Sequence, residues 1–305
     1  MGIKGVKIKR HLVFQQEFSA EFCRGVNVLI GGNATGKTTL MREMYYTLGC
    51  RGDSPLLDEL KRSNIHTQSV ETDRLVMYFN EAVNAHSLVY TFIPEKDILE
   101  HAMGLLAFIE QKYTGFSEIY RHVLVNAMDT HTTTQSAMQK SVGEKISDII
   151  GGRVEWVEGE GAFYTIKVDG NRIPFMFEAS GYKRLGYLGL LVACGQLDEG
   201  SVLFWDEPEN SLNPEILPKL ADILLDLARN GVQIFIATHS EILASYLAVS
   251  RKNGDDVLFH SLYKDGEQIK INSSDRFDLL EPNNLRAEPV KLYEMEIAKG
   301  LGGNA

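Results

Sequence analysis

Lys37 closes the run GGNATGKT, Gly31 to Thr38, and the residue types in that run suit one chemistry. Glycines let the backbone curl until successive N–H groups face a single point, and a lysine and a hydroxyl follow at the spacing G-x-x-x-x-G-K-[ST]. A phosphate fits such a concavity, drawn by the amides and by the positive end of a helix that follows. Lys37 would bring a charge to the β- and γ-phosphates, and the Thr38 hydroxyl would bring a ligand to magnesium. A second stretch, GSVLFWDEPENSLNP (Gly200 to Pro214), drives an apolar run into two adjacent carboxylates, Asp206 and Glu207. The first suits a magnesium ion held through water, and the second a general base for an attacking water. His239, in ATHS at the end of the apolar run VQIFIA, is a third candidate.

Such groups act together only if the chain delivers them to one rim. VNVLI (Val26 to Ile30) reads as a buried strand directly before the glycine run, with a helix from about Gly36 to Leu48 after it. Ile3, Val6 and Ile8 mark a first strand. RLVMYF and SLVYTFI read as two strands joined across NEAVNAH, and 98–150 is mostly helical in pattern. RVEWVEG, AFYTIKVDG and RIPFMF resemble three strands between glycine-containing turns. The last third alternates: SVLFW, a helix from Pro214 to Arg229 capped near Gly231, then VQIFIA. Alternation of this kind predicts an α/β core around a parallel sheet. VLFHSLYKDGEQIKI reads as a hairpin and PVKLYEMEIAKGL as a short amphipathic helix. One domain over 1–305 follows, with a mainly helical insertion at about 95–150 and a terminal hairpin and helix at about 255–300.

Composition bounds the partners. The 305 residues are 44% hydrophobic and 24% charged, with net charge −10 from 31 basic and 41 acidic residues. That balance speaks against a broadly basic surface coating nucleic acid, and leaves a local basic groove open. No apolar run reaches the length of a membrane span, and the N-terminus lacks the apolar segment of a signal peptide, so a cytoplasmic location is expected. Cys23, Cys50 and Cys194 have no metal-ligand spacing and read as structural thiols in a reducing compartment. His101, His122 and His131 do not share a helical turn and read as solvated or core residues.

Taken together, GGNATGKTT, ASGYKR, LFWDEPENSLNP and ATHS resemble the ABC ATPases, in particular the soluble branch related to RecF-like, chromosome-maintenance and OLD-family ATPases. The resemblance covers nearly the whole chain, most specifically Asn27 to Leu40 and Glu178 to Ser240. It implies a P-loop core of ABC type with an antiparallel β subdomain and a helical insertion. By resemblance, Gly31, Gly32, Asn33, Ala34, Thr35, Gly36, Lys37, Thr38 and Thr39 form the phosphate loop for ATP. Thr38 and Asp206 would hold Mg2+, Glu207 would be the catalytic carboxylate and His239 the γ-phosphate switch. Ser180 and Gly181 would belong to a signature motif that reaches the ATP of a second copy, with Asn210, Ser211 and Leu212 linking the two sites.

The chain departs from that pattern at Ala179, which takes the position of the family's first signature serine. The family's metal-sensing glutamine has two candidates, Gln68 and Gln111; no aromatic residue is assigned to stack on adenine, although Phe14 and Phe18 lie in the right general region. Lys183 and Arg184 read as a solvated helix face, with contact to phosphate or a partner as the alternative. The implied activity is an ATP-hydrolysing switch that forms a head-to-tail dimer and controls a separate effector, in genome maintenance or anti-phage defence. A nucleotide-gated scaffold with negligible turnover, sequestering a toxin or nuclease, is an alternative; the motor subunit of a membrane transporter is another.

Overall fold

Three strands with no polar face anchor the architecture. In the computed structural model, which describes residues 2–50, 66–84, 88–96, 98–99, 102–110, 118–128 and 135–300, every residue of VNVLIG, VLFWD and QIFIA is buried. Continuous burial of this kind marks strands covered on both faces, as in a parallel sheet.

The strands run β1 (Ile3–Ile8), β2 (Phe18–Glu21), β3 (Val26–Gly31), β4 (His66–Glu71), β5 (Leu75–Asn84) and β6 (Tyr90–Ile93). After them come β7 (Gly152–Val157), β8 (Ala162–Lys167), β9 (Arg172–Pro174), β10 (Val202–Asp206), β11 (Gln233–Ala237), β12 (Val257–Asp265) and β13 (Gln268–Ser274). The α-helices are α1 (Lys37–Tyr45), α2 (Ala102–Glu110), α3 (Glu118–Met128), α4 (Ala137–Ile150), α5 (Ser180–Ala193), α6 (Leu217–Arg229), α7 (Glu241–Ser250) and α8 (Asn284–Gly300). A π-helical turn, Tyr46–Cys50, extends α1.

The central sheet has the order β13-β12-β3-β11-β10-β6. Its strands β12, β3, β11, β10 and β6 are parallel to their neighbours, and β13 closes the edge as the hairpin partner of β12. Register places Ala237 beside both Asp206 and Leu29, so the ends of β3, β10 and β11 share one rim. Phe92, Phe204 and Phe235 stack in register across β6, β10 and β11, with neighbouring centroids 6.3 and 5.1 Å apart. Tyr45 of α1 meets Phe92 and Phe204 edge-on, which seats α1 over this aromatic row.

A second, antiparallel sheet has the order β2-β1-β5-β4. Gln233 ties it to the central sheet: its carboxamide accepts from the Ile3 amide at 2.7 Å and donates to the Ile3 and Cys23 carbonyls. RLVMYF and SLVYTFI, neighbours in the chain, lie in different sheets. Leu75, Met77 and Phe79 are buried while Tyr78 is exposed, an alternation that suits a one-faced antiparallel sheet. Thr91, Phe92 and Ile93 are all buried, and β6 lies parallel to β10 in the other sheet. A third antiparallel sheet, β7-β8-β9, precedes α5, though RIPFMF is a strand only through Pro174. The C-terminal helix is longer than the sequence suggests and none of its residues is buried.

Candidate active site

Ligands of open parallel sheets sit at the carboxyl ends of the strands, and here that rim carries the glycine run. Gly31 leaves β3 at φ 144°, where a Cβ would lie 2.2 Å from the Leu262 carbonyl oxygen. Gly36, at φ 94°, caps α1 without any side-chain bond, and a Cβ there would press on Phe14 and Val13 at 3.0 Å. Glycine is the residue that meets both demands. The amides of the first turn of α1 are thus left for an anion. The buried Lys37 ammonium donates to the Gly31 and Gly32 carbonyls at 2.9 and 3.1 Å. Burial pushes its pKa down, while Glu207, Asp206 and Glu209 hold it up.

Asp206 is buried at the end of β10 and accepts the Thr38 hydroxyl at 3.0 Å. Burial raises its carboxyl to about 6; Thr38 and Arg42 lower it, and Glu207 and Glu95 raise it further. A carboxylate and a hydroxyl in contact, with acidic neighbours, make a hard-oxygen donor set that fits Mg2+. Glu207 follows in a left-handed conformation, φ 48°, and its carboxylate lies 3.7 Å from His239 Nε2. Both side chains are about one-third exposed, so water has access. Glu209 accepts the His239 amide at 2.8 Å, and Ser240 caps α7. Lys37, Thr38, Asp206, Glu207 and His239 are therefore brought together.

Ser180 and Gly181 open α5, with exposed Ala179 as N-cap and no side-chain cap bond. Ser180 is exposed. Gly181 abuts the turn after Glu207: a Cβ there would lie 2.5 Å from the Ser211 carbonyl oxygen. Ser211 is itself left-handed, φ 63°.

Several expectations are corrected here. Lys183 and Arg184 are each only 5% exposed, because the face of α5 that carries them packs inward against the ends of β6 and β10. Phe14 and Phe18 are buried and packed on each other at 4.7 Å, with Phe14 against Gly36 of the glycine run, which leaves neither ring open to stack on a base. Gln68 is exposed on β4, in the sheet that does not carry the site, and Gln111 lies outside the described residues. The segment brought to Asp206 from the end of β6 is Pro94–Glu95, which has no glutamine. His122 faces Tyr45 edge-on, and His101 and His131 lie outside the described residues. Burial pushes the Cys23 thiol up to about 12, which keeps it unreactive. Arg42, Glu95, Arg184 and Glu209 are the neighbours that sequence reasoning did not place. Only Glu209, inside DEPEN, carried a local signal.

This rim and strand order define a P-loop fold of the ABC-ATPase arrangement. Residues 125–245 match the family described as "AAA domain, putative AbiEii toxin, Type IV TA system". Over 291 residues the chain is 24% identical to a "Putative ABC transporter ATP-binding protein" of Pyrococcus horikoshii, covering 95% of this chain and 88% of that one. An SMC head bound to the C-winged helix domain of ScpA shares the fold at TM-score 0.52 and 12% identity, over 90% of this chain and 98% of that one. An SMC head with an extended coiled coil, bound to the C-terminal domain of ScpA derived from Pyrococcus furiosus, gives 0.52 and 12%, over 96% and 99%. The chain accordingly has the α/β fold of the SMC heads and is similar to an ABC-type ATP-binding protein over nearly its whole length.

Proposed function

We propose that the protein is an ATP-hydrolysing conformational switch: two copies close head to tail around Mg-ATP, and closure and opening control a separate effector. The observation that carries this reading is the meeting of Lys37, Thr38, Asp206, Glu207 and His239 on one rim, while Ser180 stands exposed at the start of α5. The phosphate loop, 31–39, binds the triphosphate; Lys37 exchanges its carbonyl partners for phosphate oxygens. Magnesium, held by Thr38 and Asp206, would neutralise developing charge on those oxygens. Glu207 takes a proton from the attacking water, and His239 aligns with the terminal phosphate. Ser180 and Gly181 complete the site of the second copy, and the turn 210–212 joins the two sites.

Support for an effector comes from the relatives. The matched family's description names a toxin–antitoxin system, and the two SMC heads were solved with ScpA domains bound. A partner protein that stimulates turnover, in genome maintenance or anti-phage defence within the cytoplasm, fits both. No described helix is long and apolar enough to cross a membrane. One observation favours the scaffold reading: Ala179, the N-cap of α5, offers no hydroxyl.

Turnover, ATP binding and mass with and without Mg-ATP test the proposal in wild type and Glu207→Gln. The variant is expected to bind ATP, accumulate as a dimer and lose about 10²- to 10⁴-fold in rate. Chelation of magnesium is expected to abolish wild-type turnover. Unchanged turnover in Glu207→Gln would refute Glu207 as the base, and ATP-driven dimers without wild-type turnover would establish the scaffold.

A further inference from the structure

Two features of the chain lack a partner among the described residues, and they fit each other. The first is a groove of about 570 Å³ between α4, α5 and β7. Gly143 and Ser147 line it along α4, Gly186, Gly189 and Ala193 along α5, and half-buried Trp156 stands at the β7 wall. Glycine destabilises a helix interior relative to alanine, so its presence there calls for a reason. At Gly186 the reason is Val154, which a Cβ would meet at 2.5 Å. At Gly143 a Cβ would meet nothing within 4 Å. The fold itself leaves that space open, and small residues on two packed helices let the ridge of a third come close.

The second feature is α8. None of its residues is buried, and Val290, Tyr293 and Ile297 form a stripe at helical spacing, 45 to 63% exposed. Such a stripe marks a helix that packs against something. The lengths agree: Val290 to Ile297, Lys140 to Ser147 and Gly186 to Ala193 each cover two helical turns, about 10 Å. The charges agree as well. Lys140 and Glu144 stand exposed on the α4 edge of the groove, and Lys291 and Glu294 flank the α8 stripe, each pair one turn apart. With the two helices antiparallel, Lys140 meets Glu294 and Glu144 meets Lys291.

Within one copy α8 is tied elsewhere. Leu285 packs on the core, and the Ser261 hydroxyl donates to the Pro282 carbonyl just before the helix. Ser261 pairs in register with Ile30, so α8 starts against β3 beside the glycine run. The groove follows the helix that begins at Ser180. In a head-to-tail dimer the glycine run of one copy faces the start of α5 in the other. Each α8 then lies on the side of the other copy's groove, and one two-fold axis makes the contact twice.

We infer that α8 of each copy docks into the groove between α4, α5 and β7 of the other, with Val290, Tyr293 and Ile297 against Gly143, Gly189 and Ala193. The contact is a clasp made of protein alone, added to the nucleotide held at the rim. It rests on the head-to-tail reading of the dimer.

The test is the dimer dissociation constant of the full chain carrying Glu207→Gln, by sedimentation equilibrium with Mg-ATP. ATP affinity by titration and the fold by circular dichroism are measured alongside. Three changes are compared: Tyr293→Asp, Gly143→Trp, which fills the groove, and a chain ended after Glu288. Each is expected to weaken the dimer at least about tenfold, the scale of losing an aromatic anchor, with ATP affinity unchanged. Gly143→Trp in the shortened chain is expected to be no worse than shortening alone, since both remove one contact. Should Gly143→Trp fail to fold, Gly143→Leu takes its place. An unchanged dissociation constant in the shortened chain overturns the inference and leaves α8 to a separate effector. Full additivity of shortening and Gly143→Trp also overturns it, because α8 and the groove then serve different contacts. A chain that stays monomeric with Mg-ATP refutes the head-to-tail reading and the inference with it. A dimer that forms without ATP, and is lost on shortening and in Gly143→Trp, keeps the docking and refutes only ATP-driven closure.

Discussion

Gly181 has no space for a side chain, and the atom in its way is backbone: the Ser211 carbonyl oxygen. Gly181→Ala must push the start of α5 off the turn, at the roughly 1–3 kcal/mol typical of overpacking. A lower denaturation midpoint is expected, and an unchanged one would show that the contact yields freely. His260 makes a different kind of prediction. It is fully buried, with Nδ1 2.7 Å from the Ser273 hydroxyl and Nε2 3.2 Å from Asn27 Oδ1, and burial pushes its pKa down to about 3. The unfolded chain therefore binds a proton that the folded chain refuses between about pH 6.5 and pH 3. The stability contribution is whole above about pH 6.5 and is lost as pH falls toward 3. His260→Gln is expected to flatten the pH dependence of stability in that window, measured by denaturant titration at pH 4 to 7; identical slopes would contradict it. At this scale the sequence was most legible where residues are contiguous. The phosphate loop and the Asp206-Glu207 pair are read from local order because their chemistry is local. Arg184 was not, since its partner Pro94 stands ninety positions away and periodicity does not say which helix face turns inward.

Among the elements, α4 shows how local signals and packing combine. Ser136 and Gln139 form a reciprocal capping box, and Met138, Val142, Ile146, Ile149 and Ile150 turn inward along the helix. Lys145 reaches Asp222 at 2.5 Å and also Asp226, joining α4 to α6. Ser136→Ala is expected to cost about 1 kcal/mol of stability, by denaturant titration, with turnover unchanged. The helix periodicity of α6 and the apolar runs of β3, β10 and β11 were plain in the sequence, because each has one dominant period or none. The fate of β5 and β6 was not. Both are rich in strand formers and adjacent in the chain, and only the partner strands, β1 and β10, sort them into different sheets.

For the molecule as a whole, the core reaches only the first turn of its last helix, through half-buried Leu285. None of α8 is buried, and Val290, Leu292, Tyr293, Met295 and Ile297 are all exposed. Ending the chain after Glu288 is expected to change the stability of the monomer by no more than about 0.5 kcal/mol, the range of surface changes, by calorimetry or denaturant titration. A larger loss would mean that α8 beyond Glu288 also packs on the core. The α/β class and its parallel centre were legible from alternation in the last third. The four-stranded second sheet was not, because β2 (FSAE) is only four residues long, too short for its alternation to stand out.

The bond from Arg184 to the Pro94 carbonyl closes a circle of chain. The chain from Glu95 to Lys183 starts and ends at this contact, with further ties through the buried face of α3 and through Lys145 of α4, and the entropy of closing a flexible loop grows only with the logarithm of its length. Doubling such an excursion adds only about 0.6 kcal/mol to the cost of closing it. The geometry of the rim is thereby insulated from the size of what the circle encloses. Changes of length between α2 and α4 that spare the buried face of α3 (Ile119, Val123, Leu124 and Ala127) are expected to leave the chemistry where it stands.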